Sequence, residues 1–560
     1  AASDVYKRQV YDMYFDFSEG LSTIPGYRVL AINRGEKEGF LKVSVSIPEE
    51  GAERIVALSV VRGCCPCSKQ VEAAAKDAWS RLIYTSVTRE LRSMLTDEAC
   101  EQAIATFAVN LKPLLMQPPV KGMVTMGLDP GYRTGCKVAV VDETGKVLDT
   151  AVIYPAPPHN KIAEAERIVT GLIKKHNVKV ISIGNGTAGR ETEKFAADTV
   201  KGTDVKYVIV SEAGASVYSA SKLGAEEFPD YDVSLRSAVS IARRLQDPLA
   251  ELVKIDPKSI GVGQYQHDMN QKKLSDALSG VVEDSVNKVG VDLNTASASL
   301  LEYVSGINKT IAKNIVDYRE NNGRFVSRKQ LLKVPKLGPK AYEQCAGFLR
   351  IPDGKNPLDA TSVHPESYEA AEQLMAKLGL TMEDIKEAKK QAAAKKASDK
   401  SGAQASGQKN GSNAANTAKK REEQKGKTVR VHNTNTAMGK ALAAAMGGVS
   451  FDNSAETSTK KNAPAVQNAS NDAKDISGLE KRIKNKKLLA EELGIGEITL
   501  TDILKELEKP GRDPRDDMPK PILRSDVLDM KDLKPGMILK GTVRNVIDFG
   551  VFVDIGVHQD

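Results

Sequence analysis

The sequence predicts a multidomain, mainly helical chain with one α/β domain near its centre, and three observations carry that prediction. Apolar runs of strand length follow closely at 123–128, 136–141 and 147–153, and Thr144-Gly145 between the last two marks a hairpin, because Gly takes positive φ without steric cost. The pattern then alternates: helical spacing over 160–176, a buried-type strand at 178–183, a second helix, a strand at 207–210 and a helix about 234–245. Before this stretch the apolar residues recur at helical spacing over 71–95, which holds the sole Trp, Trp79, and again over 99–115.

A three-stranded meander followed by alternating helix and strand is the order of the ribonuclease H-like fold. Asp129 ends the first strand, before Pro130-Gly131, where that fold carries a metal-binding catalytic carboxylate. Glu212, at the end of the later strand, is a second candidate. Two-metal phosphodiester chemistry needs several carboxylates converging on ions about 3.5–4 Å apart. Two further positions lack them: the intervening strand ends on Gly184-Asn185-Gly186, and the closing helix begins Ser234-Leu235-Arg236-Ser237, with a cation where an acid is needed. Asn185 is a weak ligand, and Arg236 beside Asp129 would compete with a metal. The expectation is a binding or structural module with no metal and no cofactor, in which Asp129 and Glu212 are vestigial. The alternative is a metal-dependent nuclease or resolvase using Asp129. A buried carboxylate without a metal needs a partner, and the Pro130-Gly131-Tyr132 turn, Arg133 or Arg236 is expected to provide it.

Taken from its beginning, a chain of 560 residues is too long for one core. Its 80 basic and 73 acidic residues leave a net charge of +7, compatible with nucleic acid without requiring it. No apolar run approaches the roughly 18 residues of a membrane span, and no signal-peptide pattern opens the chain. Six scattered cysteines read as reduced thiols, so the cytoplasm is the expected compartment; a monomer is the expected state. Both ends read as cut, and residues 1–9 are set aside as candidate non-native sequence. The expected division is a helical region at 1–119, the ribonuclease H-like domain at 120–255, a hairpin domain at 256–385, a basic low-complexity insert at 386–475, a helical linker at 476–530 and a partial β-barrel at 531–560.

Within the first region, the alternating run at 41–47 reads as a strand or extended arm. Cys64 and Cys67 form one C-x-x-C with no second pair and no nearby His, which favours incidental thiols over zinc. After the α/β domain, Gly261-Val262-Gly263 does not continue as a phosphate-binding loop, and no G-x-x-x-x-G-K-[ST] occurs anywhere. His267 reads as structural, because no nucleophile pattern accompanies it.

The next pattern occurs twice. Helix, Val304-Ser305-Gly306-Ile307, helix is followed by helix, Val334-Pro335-Lys336-Leu337-Gly338-Pro339-Lys340, helix. This is the helix-hairpin-helix arrangement, in which Gly306 and Gly338 let the backbone turn tightly and present amides to a phosphate. Gly306, Ile307, Lys309, Thr310, Lys336, Gly338 and Lys340 are the candidate nucleic-acid contacts, and Lys313 adds charge. Such contacts position a duplex without reading its bases. The same pattern also serves plain helix packing.

Residues 363–380 read as a helical cap. From 386 to about 475 the composition shifts to Ala, Lys, Ser, Asn, Gly and Gln, which cannot bury enough surface to offset chain entropy; one amphipathic piece at 438–446 interrupts it. Helical spacing resumes over 476–507. Alternation on both sides of Phe549-Gly550 then indicates paired strands of an OB fold. There Lys540, Arg544, Phe549, Phe552 and His558 are candidate RNA contacts, through base stacking and backbone attraction; buried core positions are the alternative for the two rings.

Several long runs resemble the Tex family of bacterial transcription accessory proteins: Gly127-Leu128-Asp129-Pro130-Gly131-Tyr132-Arg133-Thr134-Gly135-Cys136-Lys137, Ile183-Gly184-Asn185-Gly186-Thr187-Ala188-Gly189-Arg190, Ser240-Ile241-Ala242-Arg243-Arg244-Leu245-Gln246-Asp247-Pro248 and Val291-Asp292-Leu293-Asn294-Thr295-Ala296-Ser297. The resemblance implies an N-terminal helical region, a YqgF-type ribonuclease H-like domain, tandem helix-hairpin-helix motifs and a C-terminal RNA-binding domain. It implies RNA, and also DNA, as ligand, and the transcription or translation machinery as partner. The long insert from Lys386 departs from the family pattern.

Overall fold

A computed structural model of the chain describes residues 8–387 (apart from 64, 262 and 264), 479, 483, 485–521, 523–524, 536–538, 541–547 and 550–555. The described residues of 1–385 and 478–560 form one compact unit. Almost all of the second, 386–477, lies outside the described residues, as does the amphipathic piece at 438–446.

The chain enters through α1 (Gly26–Lys37), α2 (Glu49–Val60), α3 (Pro66–Ala78) and α4 (Tyr84–Leu115). Two separate helices over 71–95 and 99–115 were expected. Instead α4 runs unbroken through Thr96-Asp97-Glu98, which contains neither Gly nor Pro, and the break falls earlier, in the single π-turn Trp79–Ile83. The run at 41–47 pairs with no strand; it is an extended arm, fixed where the Tyr84 hydroxyl donates to the Val45 carbonyl at 2.6 Å.

The central sheet has the expected meander and alternation. Strands β1 (Thr125–Asp129), β2 (Cys136–Val141), β3 (Val147–Ile153), β4 (Val180–Gly184) and β5 (Lys206–Val210) lie in the order β3-β2-β1-β4-β5. β1 and β2, and β2 and β3, are antiparallel; β1 and β4, and β4 and β5, are parallel. Helices α5 (Ile162–His176) and α6 (Gly189–Val200) cover one face, where Val169, Ala196 and Val200 meet Met126, Leu128, Ile181 and Tyr207. α7 (Val233–Gln246) covers the other, through Ala238, Val239 and Ala242. It comes very close at Gly127, where an added Cβ would lie 2.3 Å from the Ala238 carbonyl oxygen. That approach fixes which side of α7 faces the strand ends.

Beyond the sheet, α8 (Gln271–Val289) leads to the first hairpin and α9 (Lys309–Asn322), then to the second hairpin and α10 (Pro339–Cys345). A short parallel pairing of β6 (Val291–Asp292) with β7 (Leu349–Arg350) ties the two ends of this region together. One continuous core joins Phe107, Leu111 and Leu115 of α4 to Leu274 and Val282 of α8, and to Ile311, Leu331 and Leu349 of the hairpins. α11 (Tyr368–Leu378) follows, and after the insert comes α12 (Glu497–Glu508). The chain then returns to the sheet. Arg515, 2% exposed, pairs with Asp247 and Asp513 at 2.7 and 2.8 Å, and Arg524 adds one antiparallel bridge to Tyr207 on the open edge of β5. The end described is a hairpin of β8 (Thr542–Ile547) and β9 (Gly550–Asp554). Among the described residues no helix is long and apolar enough to cross a membrane.

Candidate nucleic-acid interface

The first hairpin turns at Gly306 with φ +80°, and Ile307 drops into the core beside it. Asn308 then caps α9, its Oδ1 accepting from the Ile311 amide at 3.0 Å. In the second hairpin, Val334 and Leu337 are buried in the corresponding places, and the residue with positive φ is Lys336, at +66°. Gly338 was expected to make that turn. It is extended instead (φ −82°, ψ 174°) and caps α10. Lys336 thus occupies the place of Gly306, held in a conformation costing about 1–2 kcal/mol by the two buried neighbours that clamp it.

The two turns are knitted together. Asn314 of α9 donates to the Pro335 carbonyl at 2.7 Å, and the Gly306 turn packs on α10, where an added Cβ would lie 2.6 Å from Gln344 Cβ. Lys309, Thr310, Lys313, Lys336, Gly338 and Lys340 are all exposed around this junction. Among the described residues none of these four lysines is engaged in an ion pair or hydrogen bond with the protein. The cations are therefore available to an external anion.

At the far end of the chain, Phe552 is exposed on β9 opposite Asn545 of β8. The pairing register shifts between Val543 and Asn545, at Arg544. Lys540, Phe549, His558 and the Arg544 side chain lie outside what is described.

The third group sits at the carboxyl end of the sheet. Asp129 does not pair with the Pro130 turn, Arg133 or Arg236 as expected. Among its neighbours, Ser237 on α7 favours the ionised carboxylate. Arg236, in the first turn of α7, points elsewhere, donating to the carbonyls of Phe228 at 3.0 Å and Ser219 at 3.3 Å. The cations near Asp129 are Lys137, opposite it in the β1–β2 register, and Arg244, two turns further along α7. Ser237, Ser240 and Arg244 fall at i, i+3 and i+7 and so form one stripe, which the Gly127 contact turns toward the strand ends. Asn185 does not reach inward either: its Oδ1 accepts the Glu212 amide at 3.0 Å. The Glu212 carboxylate lies across the Gly184-Asn185-Gly186 turn, so close that a Cβ on Gly186 would meet Oε1 at 1.5 Å.

The divalent ions that this fold implies do not fit these residues. Among the described residues no three His, Cys, Asp or Glu side chains converge to hold a metal, and the position between β1 and β5 has glycines where a third acid would stand. Burial, with help from Glu212, pushes Asp129 up to about 6 from an ordinary 3.8, against the pull of Ser237, Lys137 and Arg244. A raised carboxylate stabilises the fold fully below its unfolded value and loses that contribution as pH rises through the folded value. Asp129→Asn removes this loss, so its stability relative to the parent should improve by roughly 1 kcal/mol between pH 5 and 7.5 in urea unfolding. A difference that stays constant across that range would show Asp129 to be ionised throughout.

Family models match four stretches: "Tex central region-like" at 4–107, "Tex protein YqgF-like domain" at 123–246, "Helix-hairpin-helix motif" at 286–350 and "HHH domain" at 356–414 and 455–515. The chain is 45% identical to an uncharacterized protein, YdcI, of Bacillus subtilis over all of its own length and 66% of that relative's. It is 43% identical to the transcriptional accessory protein Tex of Neisseria gonorrhoeae, over 98% of itself and 61% of the relative. At 37% identity it also matches the human S1 RNA-binding domain-containing protein 1, over 98% of itself and 53% of the relative. The chain thus spans between about half and two thirds of the length of these proteins.

Proposed function

From the premise that this chain belongs to the Tex family, we propose that it is a nucleic-acid-binding scaffold, acting on RNA and on DNA as an accessory to transcription. The observation that carries this reading is the junction of the two hairpin turns, where four unpaired lysines surround backbone held by Asn314 and Gly306. Phosphate neutralised by lysine releases counterions and gives affinity without sequence preference. The names of the Neisseria and human relatives, one a transcriptional accessory protein and the other an RNA-binding-domain protein, favour the same class. We assign the hairpin contacts to 256–385 and a stacking surface to the β-barrel beginning at 531, and we assign no catalysis to the ribonuclease H-like domain.

The test is binding of matched single-stranded RNA, single-stranded DNA and duplex, alongside incubation of labelled RNA, DNA and four-way junctions with Mg²⁺ or Mn²⁺. Binding without cleavage is expected. Cleavage that vanishes in Asp129→Asn would install the nuclease instead. For the barrel, exchanging Phe549 and Phe552 for Ala should weaken RNA binding, since stacking is worth roughly 1–3 kcal/mol per base. Unchanged RNA affinity in a folded variant would make the two rings packing residues.

A further inference from the structure

We propose that Arg244 is a built-in cation holding the place that a divalent metal takes at the end of this type of sheet. The inference rests on the reading that the domain does not cleave phosphodiesters, and it names the device responsible. Arg244 is 3% exposed, yet it is a guanidinium, which stays charged in proteins. A buried charge of this kind is costly unless negative charge lies close by or its donors are engaged. Its Nη1 donates to the carbonyls of Ser211 at 2.8 Å and Ala213 at 2.7 Å, the two residues flanking Glu212, which pins the head group beside that carboxylate. Burial disfavours its charged form, and Glu251, Glu212 and Asp129, in that order, act against this as neighbouring negative charges.

Three further features bear on the placement. Among the described residues, Nε and Nη2 of Arg244 and Oγ of Ser240, on the same stripe of α7, are buried without a hydrogen-bond partner, so this stripe carries donor groups that no protein acceptor has taken up. Lys137, opposite Asp129 in the β1–β2 register, is buried, with Nζ on the Thr134 and Gly135 carbonyls, and brings a second positive charge. The Glu212 carboxylate already fills the space above Gly184 and Gly186, from which a third ligand would have to come. A metal arriving here would have to approach the carboxylates against two positive charges that the backbone carbonyls hold in place.

The experiment titrates Mn²⁺ into the full chain and into Arg244→Lys, Arg244→Gln and Arg244→Gln/Asp129→Asn, read by calorimetry and by the shift in thermal unfolding. The parent and Arg244→Lys should show no saturable binding at millimolar Mn²⁺. Arg244→Gln should gain a site at least tenfold tighter than any response of the parent, and the added Asp129→Asn should abolish it. Saturable binding by the parent that Asp129→Asn removes would overturn the proposal, as would a folded Arg244→Gln with no gain. If Arg244→Gln does not fold, Arg244→Met carries the same test with the same two outcomes, and Asp129→Asn alone is titrated as the reference for any binding by the parent. Mn²⁺-dependent, Asp129-dependent cleavage by the parent would overturn the scaffold reading as well, whereas binding without cleavage would overturn the Arg244 assignment alone.

Discussion

Exchanging Lys309 and Lys340 for Glu should weaken binding of every nucleic-acid sequence alike, by about 30-fold at 0.15 M salt. Each phosphate contact contributes about 0.9 to the slope of log affinity against log salt, so losing two lowers that slope by about 2. The two lysines stand one on each hairpin, in the first turn of α9 and of α10. The turns are held together by the Asn314–Pro335 hydrogen bond, so one duplex or strand can meet both. Both side chains are exposed, and the variant should unfold like the parent. The measurement is fluorescence anisotropy at four or more salt concentrations, on two unrelated sequences. A loss confined to one sequence would mean that these residues read bases, which phosphate contacts do not do. No loss would leave the hairpins as packing elements.

The second large effect is on stability. Arg328 is 1% exposed, and its guanidinium donates to the carbonyls of Leu349, Val363 and Thr361 and to the Tyr368 hydroxyl. Tyr368 in turn donates to Asp359 at 2.7 Å. One side chain therefore gathers the second hairpin, the β7 strand and the α11 cap into a single polar knot. Arg328→Met should cost roughly 3–5 kcal/mol, because it leaves three buried carbonyls without donors and removes the bond that holds the Tyr368 hydroxyl against Asp359. Urea unfolding reads the loss, and limited trypsin digestion should show new cuts between residues 324 and 365. Arg328→Lys keeps the charge but reaches fewer acceptors, and should recover only part of the stability. A cost below about 1 kcal/mol for Arg328→Met would mean that water replaces the guanidinium and that the knot is not a buried one.

Most of the sheet was legible because strand and helix periods are local properties. The runs of β1 to β5 are apolar over strand length, the Thr144-Gly145 turn is written in its residue types, and α5 and α7 each carry one apolar stripe. The paired hairpins were legible for the same reason, through the repeated pattern of a buried Val and a buried Ile or Leu around a tight turn. Composition alone suggests 386–475 as a separate stretch, and nearly all of it lies outside the described residues. Other features were open to misreading. Gly338 drew attention as a glycine, but alignment on the buried residues puts Lys336 in the left-handed place, and a lysine gives no local sign of positive φ. The length of α4 was missed because the pattern was divided where polar residues cluster, at Thr96-Asp97-Glu98, although such residues do not stop a helix.

By itself, then, the sequence determined the fold class, the order of elements, the candidate lysines and the absence of acids at two positions of the sheet's carboxyl end. These follow from residue type and period, which the chain carries without knowing its neighbours. Only the tertiary structure decided which arginine of α7 is buried beside the Glu212 backbone. Arg236, Arg243 and Arg244 share one helix, and nothing in their spacing says which will point inward. The close contact of Gly127 with Ala238 sets the rotation of α7. It sends Arg236 to the Phe228 and Ser219 carbonyls and Arg243 to the Gly145 carbonyl, and turns Arg244 to those beside Glu212. A side chain's direction depends on packing between elements distant in sequence, and that information exists only once the sheet and the helix have met.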